Sequence, residues 1–350
     1  MNRNRIREVD PNDFTVKSEQ QLLRELNVKR LVPLASNENC LGPSPLAVEA
    51  LKRDAAKAHR YVDGSATVLH EKLAGLWNAK SERIVLGNGS RELIEMIARA
   101  YLEPGENCLT AEQTFVMYRI AAVRAGGQLK TVPMRNYAYD LNALAGAITK
   151  DIRIIYIANP NNPTGTMFNR DSFTAFADRV PSNVLIALDQ AYAEYLESDD
   201  RREQLELLNK YPNLILLRTF SKIYGLAGLR IGYAVASPEI IRNLDDFRSL
   251  YSTNVAAHSA AVAALDDHEH VNRSRKHNRT ELDFIQSALS ERKIPFVPSV
   301  TNFIFLPCSD PREFSHRLLR DGILTRPLPG GIRATVGTHE ENQEFLKFVS

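Results

Sequence analysis

One stretch of the chain concentrates residue types that could hold a phosphorylated ligand beside a reactive amine. Residues 218–233 read Arg-Thr-Phe-Ser-Lys-Ile-Tyr-Gly-Leu-Ala-Gly-Leu-Arg-Ile-Gly-Tyr. Lys222 is a candidate nucleophile, because a desolvated lysine amine can form an imine with a carbonyl group. Thr219 and Ser221 supply hydroxyl groups, and Arg230 supplies a permanent cation that suits a phosphate. The pattern therefore predicts imine chemistry next to a phosphate-binding site.

The elements before this stretch predict a sheet that brings a carboxylate to the same place. Three apolar runs, 153–158, 184–188 and 214–217, alternate with helix-like stretches, which is typical of a mostly parallel sheet. Asp189 directly follows the second run and precedes Lys222 by 33 residues (222 − 189 = 33), close to the roughly 30 residues of a strand–helix–strand unit. Because parallel strands end at the same edge of a sheet, we expect both side chains to meet at one ligand.

A second phosphate-binding element is predicted near residues 83–101, where a strand, a glycine turn and a helix follow one another. Gly89 permits a close backbone approach, and Ser90 is an expected N-cap. The free N–H groups at a helix start can bind a phosphate. A glycine turn before a helix is commonly only structural, so this interpretation depends on the lysine stretch.

The composition excludes several classes of function. The 350 residues include 44 Lys+Arg and 42 Asp+Glu, and the net charge of +2 gives no electrostatic case for binding nucleic acid or an anionic membrane. Three widely spaced cysteines form neither a disulfide framework nor a zinc signature, so we expect no metal site and a reducing, cytoplasmic location. No apolar run approaches the roughly 18 residues of a membrane span.

Together these motifs resemble the fold-type I pyridoxal 5'-phosphate (PLP) aminotransferases of class I/II, and most of all the histidinol-phosphate aminotransferase family. The likeness also rests on the Asn-Glu-Asn-x-x-Gly-Pro segment at 37–43 and on Arg-Tyr-Val-Asp-Gly at 60–64. It implies an α/β fold with a large PLP-binding domain, whose mostly parallel central sheet lies between helices, and a smaller α+β C-terminal domain. The expected boundaries are 1–33 for an N-terminal arm, 34–247 for the large domain and 248–350 for the small one, with a long linking helix from about Phe247.

The resemblance also implies how the cofactor is held. Lys222 would form the imine with PLP, and Asp189 would keep the pyridine nitrogen protonated, although a helix N-cap is the structural alternative for this carboxylate. Tyr192 and Asn162 would hydrogen-bond the phenolic oxygen. The other residues implied to contact the cofactor are Gly89, Ser90, Arg91, Thr219, Ser221 and Arg230, Phe115 stacked on the ring, and Tyr61 from the neighbouring subunit of a homodimer.

Substrate residues follow from the same likeness. Arg333 would bind an α-carboxylate and Arg326 the distal phosphate of histidinol phosphate, while Asn39 and Tyr251 would also contact the substrate. We therefore expect a histidinol-phosphate:2-oxoglutarate aminotransferase of histidine biosynthesis, with glutamate as the second product of a ping-pong reaction. Asp13 stands where the family has a phosphate-contacting tyrosine, and the loop before Arg333 is short. An aromatic amino-acid aminotransferase, or a PLP-dependent amino-acid decarboxylase, therefore stays open as an alternative.

Overall fold

A central β-sheet with helices on both faces is the main feature of the fold. The structure is a computed structural model and describes residues 17–26, 28 and 30–349. The strands are β1 (Val32–Pro33), β2 (Ile84–Gly87), β3 (Asn107–Ala111), β4 (Gln128–Val132), β5 (Ile152–Ala158), β6 (Leu185–Asp189), β7 (Leu214–Thr219), β8 (Gly232–Val235), β9 (Phe303–Pro307), β10 (Ile323–Leu324), β11 (Arg326–Leu328) and β12 (Gly331–Thr335). The α-helices are α1 (Glu19–Leu26), α2 (Pro45–Asp54), α3 (Thr67–Trp77), α4 (Gly89–Tyr101), α5 (Met117–Arg124), α6 (Leu141–Gly146), α7 (Arg170–Ala177), α8 (Arg201–Lys210), α9 (Pro238–Asp245), α10 (Val255–Asp266), α11 (His268–Glu291), α12 (Pro311–Arg320) and α13 (His339–Phe348). Asp13, like the rest of the predicted arm up to residue 16, lies outside the described residues.

The central sheet has seven strands in the order β2-β8-β7-β6-β5-β3-β4. β8 runs antiparallel to both of its neighbours, and the other pairs are parallel. The apolar runs 153–158, 184–188 and 214–217 correspond to β5, β6 and β7, so the prediction of a mostly parallel sheet is confirmed. Because these three strands are adjacent and parallel, their carboxyl ends lie together at one edge of the sheet.

Alternate residues of each strand point to opposite faces of the sheet, and helices cover both faces. In β6, Ile186 and Leu188 pack into one apolar core, whereas Leu185 and Ala187 pack into another. The first core includes residues of α3, α7, α8 and α10, and the second includes residues of α4, α5 and α9. Burial on both faces explains why these strands are continuous apolar runs in the sequence.

A separate apolar core lies among the C-terminal elements. Strands β11, β12 and β9 form a three-stranded antiparallel sheet in that order, and α11, α12 and α13 pack on it through Leu282, Leu318 and Phe345. β1 joins this core and pairs in parallel with β10. The division of the chain at residues 247 and 248 stays a prediction. Within residues 17–26, 28 and 30–349, every helix is too short or too polar to cross a lipid bilayer.

The linking helix begins later than we predicted. We expected it from about Phe247, but turns occupy this region and α10 begins only at Val255. The side chain of Asn254 caps α10 by accepting a hydrogen bond from the N–H of Ala257, and Tyr251 has a φ of +60°, which a right-handed helix excludes. The predicted start is therefore wrong, because the capping asparagine fixes the first turn eight residues later (255 − 247 = 8).

Candidate active site

Most of the predicted site residues line one cavity of about 580 Å³. It lies beyond the carboxyl ends of β5, β6 and β7, which carry Asn162, Asp189 and Lys222 respectively into its wall. The predicted residues that line the cavity are Ser90, Arg91, Phe115, Asn162, Asp189, Tyr192, Thr219, Ser221, Lys222, Arg230, Arg326 and Arg333. The predicted residues that do not line it are Gly89, Asn39, Tyr61 and Tyr251.

The amine of Lys222 has an unusual environment for a lysine. Burial, and next the positive charge of Arg333, lower its pKa from 10.5 to about 7. Its Nζ donates a hydrogen bond to the carbonyl oxygen of Ser36, at 3.0 Å, and lies 5.7 Å from the centre of the Tyr192 ring. A large fraction of this amine is therefore neutral near pH 7, as a nucleophile or a proton acceptor must be.

Asp189 is a buried carboxylate at the end of β6, with only 5% of its surface exposed. The hydroxyl of Tyr118 donates to its Oδ2 at 3.0 Å, and the N–H of Ala191 donates to its Oδ1 at 3.1 Å. Burial raises the pKa of Asp189 to about 6. No helix starts at this residue, because the short 3₁₀ turn that follows has Tyr192 as its N-cap. The alternative interpretation of Asp189 as a helix N-cap is therefore not supported.

Gly89, Ser221 and Arg230 form a cradle for an anion. Gly89 has a φ of +73°, and a Cβ atom at this position would lie 2.3 Å from Nη2 of Arg230. Nη1 of Arg230 donates to Oγ of Ser221 at 3.2 Å. Burial and the neighbouring cation Arg91 lower the pKa of Arg230, because both disfavour a further positive charge. A bound anion would relieve this repulsion.

The first turn of α4 lies beside this cradle. The helix begins at Gly89 with Asn88 as its N-cap and without a side-chain capping bond, so the predicted N-cap at Ser90 is wrong. Ser90 lies inside the first turn, where backbone N–H groups have no partner within the helix. Thr219 accepts a hydrogen bond from the N–H of Ser221, at 3.1 Å, which orders the other side of the cradle. The predicted hydroxyls and backbone donors therefore surround one position.

Tyr192 and Asn162 line the same cavity as Asp189 and Lys222. Nδ2 of Asn37 donates to the hydroxyl oxygen of Tyr192 at 2.8 Å. Oδ1 of Asn162 accepts from Nη1 of Arg333 at 2.6 Å, so the amide nitrogen of Asn162 is the atom left for a ligand. Burial raises the pKa of Tyr192 to about 12, which keeps its hydroxyl protonated at neutral pH.

Two arginines face each other on the smaller sheet at the cavity wall. Arg326 of β11 and Arg333 of β12 are partners in the antiparallel register, so both side chains project to the same face. Arg333 is 8% exposed and donates to Oδ1 of Asn162 and, at 2.7 Å, to the carbonyl of Ala35. Its Nε has no hydrogen-bond partner in the described part of the chain, and burial lowers the pKa of Arg333 to about 10. Such a desolvated cation without a carboxylate partner among the described residues favours an anionic ligand.

Three predicted contacts lie elsewhere in the single chain. Nδ2 of Asn39 donates to the carbonyl of Ile223 and to Oγ of Ser274, at 2.8 and 2.9 Å, so its amide nitrogen is bonded within this chain and the substrate contact stays a prediction. Tyr61 is 84% exposed and stacks on Tyr251, with ring centres 4.7 Å apart. Both tyrosines therefore lie on the outer surface of this chain.

Two residues that we did not predict from the sequence, Asn37 and Tyr118, contact the predicted ones. Asn37 lies two positions before Asn39, and the sequence gives no reason to choose between the two amides. Tyr118 follows Phe115 by three residues, and this spacing places both on one side of a helical turn; their rings meet edge to face at 5.8 Å. The three-residue spacing from Phe115, the predicted stacking residue, could have identified Tyr118 as the hydrogen-bond partner of Asp189.

Known proteins are similar to this chain in sequence and in fold. Residues 29–349 match the family described as Aminotransferase class I and II. The chain is 42% identical over 335 residues to the histidinol-phosphate aminotransferase of Moorella thermoacetica, covering 94% of this chain and 87% of that protein. It is 40% identical over 339 residues to histidinol-phosphate aminotransferase 2 of Pseudomonas aeruginosa, covering 95% and 92%.

A solved structure agrees with these relatives. The crystal structure of histidinol-phosphate aminotransferase from Sinorhizobium meliloti in complex with pyridoxal-5'-phosphate superposes with a TM-score of 0.88 at 28% identity. The match covers 99% of this chain and 97% of that chain. The predicted fold class is therefore confirmed, and the chain belongs to the class I and II aminotransferase family.

Proposed function

We propose that the protein is a PLP-dependent aminotransferase that transfers the amino group of histidinol phosphate to 2-oxoglutarate. The observation that carries this proposal is the pair Arg326 and Arg333 at the wall of a cavity that also contains the low-pKa amine of Lys222. Two cations beside a nucleophilic amine suit substrates with an anionic group away from the reacting nitrogen. The relatives named histidinol-phosphate aminotransferase support the same substrate.

The residues present fit PLP in the chemistry of their donors and acceptors. The cradle of Gly89, Ser221 and Arg230 provides the cation and hydroxyl that a phosphate needs, and Gly89 keeps it open. Asp189 provides a buried carboxylate for the pyridine nitrogen, and Lys222 provides an amine for the aldehyde. The cavity volume of about 580 Å³ lies within the range of small-molecule sites.

In this proposal each protein group has a separate task. When bound, PLP supplies an electron sink that makes the Cα proton of the amino donor acidic. Asp189 stabilises a positive charge on the ring nitrogen, since a buried carboxylate favours a nearby cation. Lys222, whose pKa of about 7 lets it exist in both protonation states, accepts a proton and returns it. Tyr192 and the amide nitrogen of Asn162 would donate hydrogen bonds to the phenolic oxygen of PLP, and Phe115 would lie against its ring.

The two arginines divide the substrates between them. Arg333 binds the α-carboxylate of glutamate and 2-oxoglutarate, because its unpartnered Nε and its Nη groups can offer two parallel N–H donors. Arg326, which faces it across the β11–β12 pair, binds the phosphate of histidinol phosphate. The hairpin that joins the two strands contains only Pro329 and Gly330, and Nε2 of Gln113 donates to the carbonyl of Pro329 at 3.1 Å. The short loop therefore contacts the wall of the large sheet instead of extending away from it.

We further propose that the active unit is a cytoplasmic homodimer. Tyr61, at 84% exposure, stacks on Tyr251 beside Leu250, which is 75% exposed. Exposed aromatic and apolar side chains in one patch favour a protein contact. In the dimer, Tyr61 reaches the cofactor phosphate held by the other chain and Tyr251 contacts its substrate. The large PLP-binding domain at 34–247 and the small domain at 248–350 are part of this proposal.

A donor panel with purified, PLP-loaded enzyme tests the proposed function. Histidinol phosphate, phenylalanine, tyrosine and glutamate are compared as donors, each with and without a 2-oxo acid acceptor. We expect histidinol phosphate to give the highest kcat/KM and turnover to require 2-oxoglutarate. Preference for phenylalanine or tyrosine would support the aromatic aminotransferase instead. Turnover without acceptor, with release of CO₂ from an amino acid, would support the decarboxylase.

A further inference from the structure

Asn37 occupies a strained and buried position next to the predicted phenolic-oxygen site. It is 1% exposed and has a φ of +55°, in the left-handed region that asparagine enters more readily than most residues. Its carbonyl accepts from Nδ2 of Asn302 at 3.0 Å, and its N–H donates to Oγ1 of Thr335 at 2.9 Å. Both partners come from the C-terminal part of the chain and hold the strained turn in place.

The same contacts decide which way the Asn37 amide points. The hydroxyl of Thr335 accepts from the Asn37 N–H and donates its own proton to Oδ1 of Asn37, at 3.3 Å. Oδ1 is thus an acceptor, and Nδ2 is the atom that faces the hydroxyl of Tyr192 at 2.8 Å. Nδ2 can only donate, so the Tyr192 oxygen accepts this bond.

This direction has a consequence for the tyrosine proton. A phenolic hydroxyl has one proton to donate. Because its oxygen already accepts from Asn37, that proton must point to another acceptor, and the Tyr192 hydroxyl forms no second hydrogen bond among the described residues. Tyr192 is 4% exposed, and both residues line the cavity, so the open direction is into the cavity. The charged groups around the Tyr192 ring are Lys222, Arg333 and Asp189.

We infer that Asn37 is a positioning residue that aims the proton of Tyr192 at the phenolic oxygen of the cofactor, an inference that rests on the proposed function. Asn37 itself acts only through Tyr192. When the phenolic oxygen accepts the hydrogen bond from Tyr192, it attracts the proton on the neighbouring Lys222 nitrogen less strongly. Without the bond, that nitrogen keeps its proton to a higher pH. The visible band of the bound cofactor should then change at a higher pH.

The test measures this spectral midpoint in substrate-free holoenzymes. Asn37→Asp has nearly the same shape and tolerates the left-handed backbone, but its carboxylate accepts from Tyr192 and turns the proton away from the cavity. The cations Lys222 and Arg333, which line the same cavity, favour its ionised form. Asn37→Gly removes the amide and keeps the backbone unstrained, so a folded variant without the bond exists even where the carboxylate is not tolerated. Asn78→Asp is the matched control, because Asn78 has a φ of +46° and is exposed outside the cavity.

We expect Asn37→Asp to raise the midpoint by about one pH unit, Asn37→Gly to raise it by less, and Asn78→Asp to leave it unchanged. In a Tyr192→Phe background, Asn37→Asp should cause no further rise, because the group through which it acts is gone. An unchanged midpoint in both Asn37 variants, or an equal rise with and without the Tyr192 hydroxyl, would overturn the inference and leave the proposed function intact. A wild type that binds no PLP would overturn both.

Discussion

Replacement of Arg333 by methionine should separate its role in function from its effect on stability. The side chain is 8% exposed, and its pKa falls from 12.5 to about 10 because of burial. At 1.36 kcal/mol per pKa unit, this difference means that the empty site disfavours the cation by about 3 kcal/mol. The two hydrogen bonds that this cation donates to Asn162 and Ala35 would also be lost, at about 1.5–3 kcal/mol each. These opposing effects are of similar size, so the free energy of unfolding of the variant without ligand should be close to that of the wild type.

The same substitution should impair the reaction with glutamate. Removing one partner of a largely desolvated ion pair costs about 3–5 kcal/mol, which corresponds to a fall in kcat/KM of roughly a hundredfold to a few thousandfold. Histidinol phosphate lacks an α-carboxylate, so its kcat/KM should fall by no more than that of glutamate.

Stopped-flow absorbance with each donor, and urea unfolding of the apoprotein, measure the two effects. Arg312→Met, at an exposed arginine of α12, is the matched control for loss of one positive charge. A kcat/KM for glutamate within threefold of the wild type would refute the assignment of the carboxylate to Arg333. A large loss of apoprotein stability would refute the reasoning about an unpaired buried charge.

Three further predictions test other parts of the site. Lys222, with a pKa of about 7, should be neutral above that pH. The rate at which the apoenzyme takes up PLP should therefore rise with pH to a plateau, with a midpoint near pH 7. A midpoint above pH 9 would contradict the lowered pKa. Asp189→Asn should retain PLP but slow the half-reaction by about a hundredfold or more, because a neutral amide cannot stabilise a ring cation, and wild-type rates would give Asp189 a structural role only. If Tyr61→Ala and Lys222→Ala are each inactive, mixed dimers of the two should regain activity, since one hybrid site has both residues; no recovery after verified subunit exchange would rule out a shared site.

The sequence was most informative where local pattern and burial coincide. The strands β5, β6 and β7 are buried on both faces, so they appear as apolar runs, and the polar residue after each run marks the edge of the sheet. Asp189 and Lys222 could be assigned to one site on this basis, because parallel neighbours end at the same edge. The structure brings them into one cavity.

Contacts between distant parts of the chain were not predictable in this way. Asn37 and Asn39 have the same side chain. They differ in their partners, because the backbone of Asn37 bonds to Thr335 and Asn302, which are 298 and 265 residues away. The family resemblance implied a substrate contact for Asn39, whose amide nitrogen bonds within the protein. Side-chain orientation here depends on tertiary hydrogen bonds that no local propensity encodes.

Element boundaries also depended on capping geometry. Asn88 and Ser90 are both good N-cap residues, and the left-handed Gly89 between them can belong to the turn or to the helix. At the start of α10, Asn254 caps the helix, later in the chain than the start near Phe247 that we expected. In both cases several local solutions have similar free energies, and packing decides among them.

Histidinol phosphate mixed with the PLP-loaded enzyme in the absence of any acceptor provides the most direct test of the proposed function. One equivalent of the corresponding ketone per subunit should form, the visible band of the cofactor should be lost, and addition of 2-oxoglutarate should restore that band with release of one equivalent of glutamate. Lys222→Ala should form no ketone at a detectable rate. A wild-type enzyme that leaves histidinol phosphate unchanged while its cofactor band persists would contradict the account.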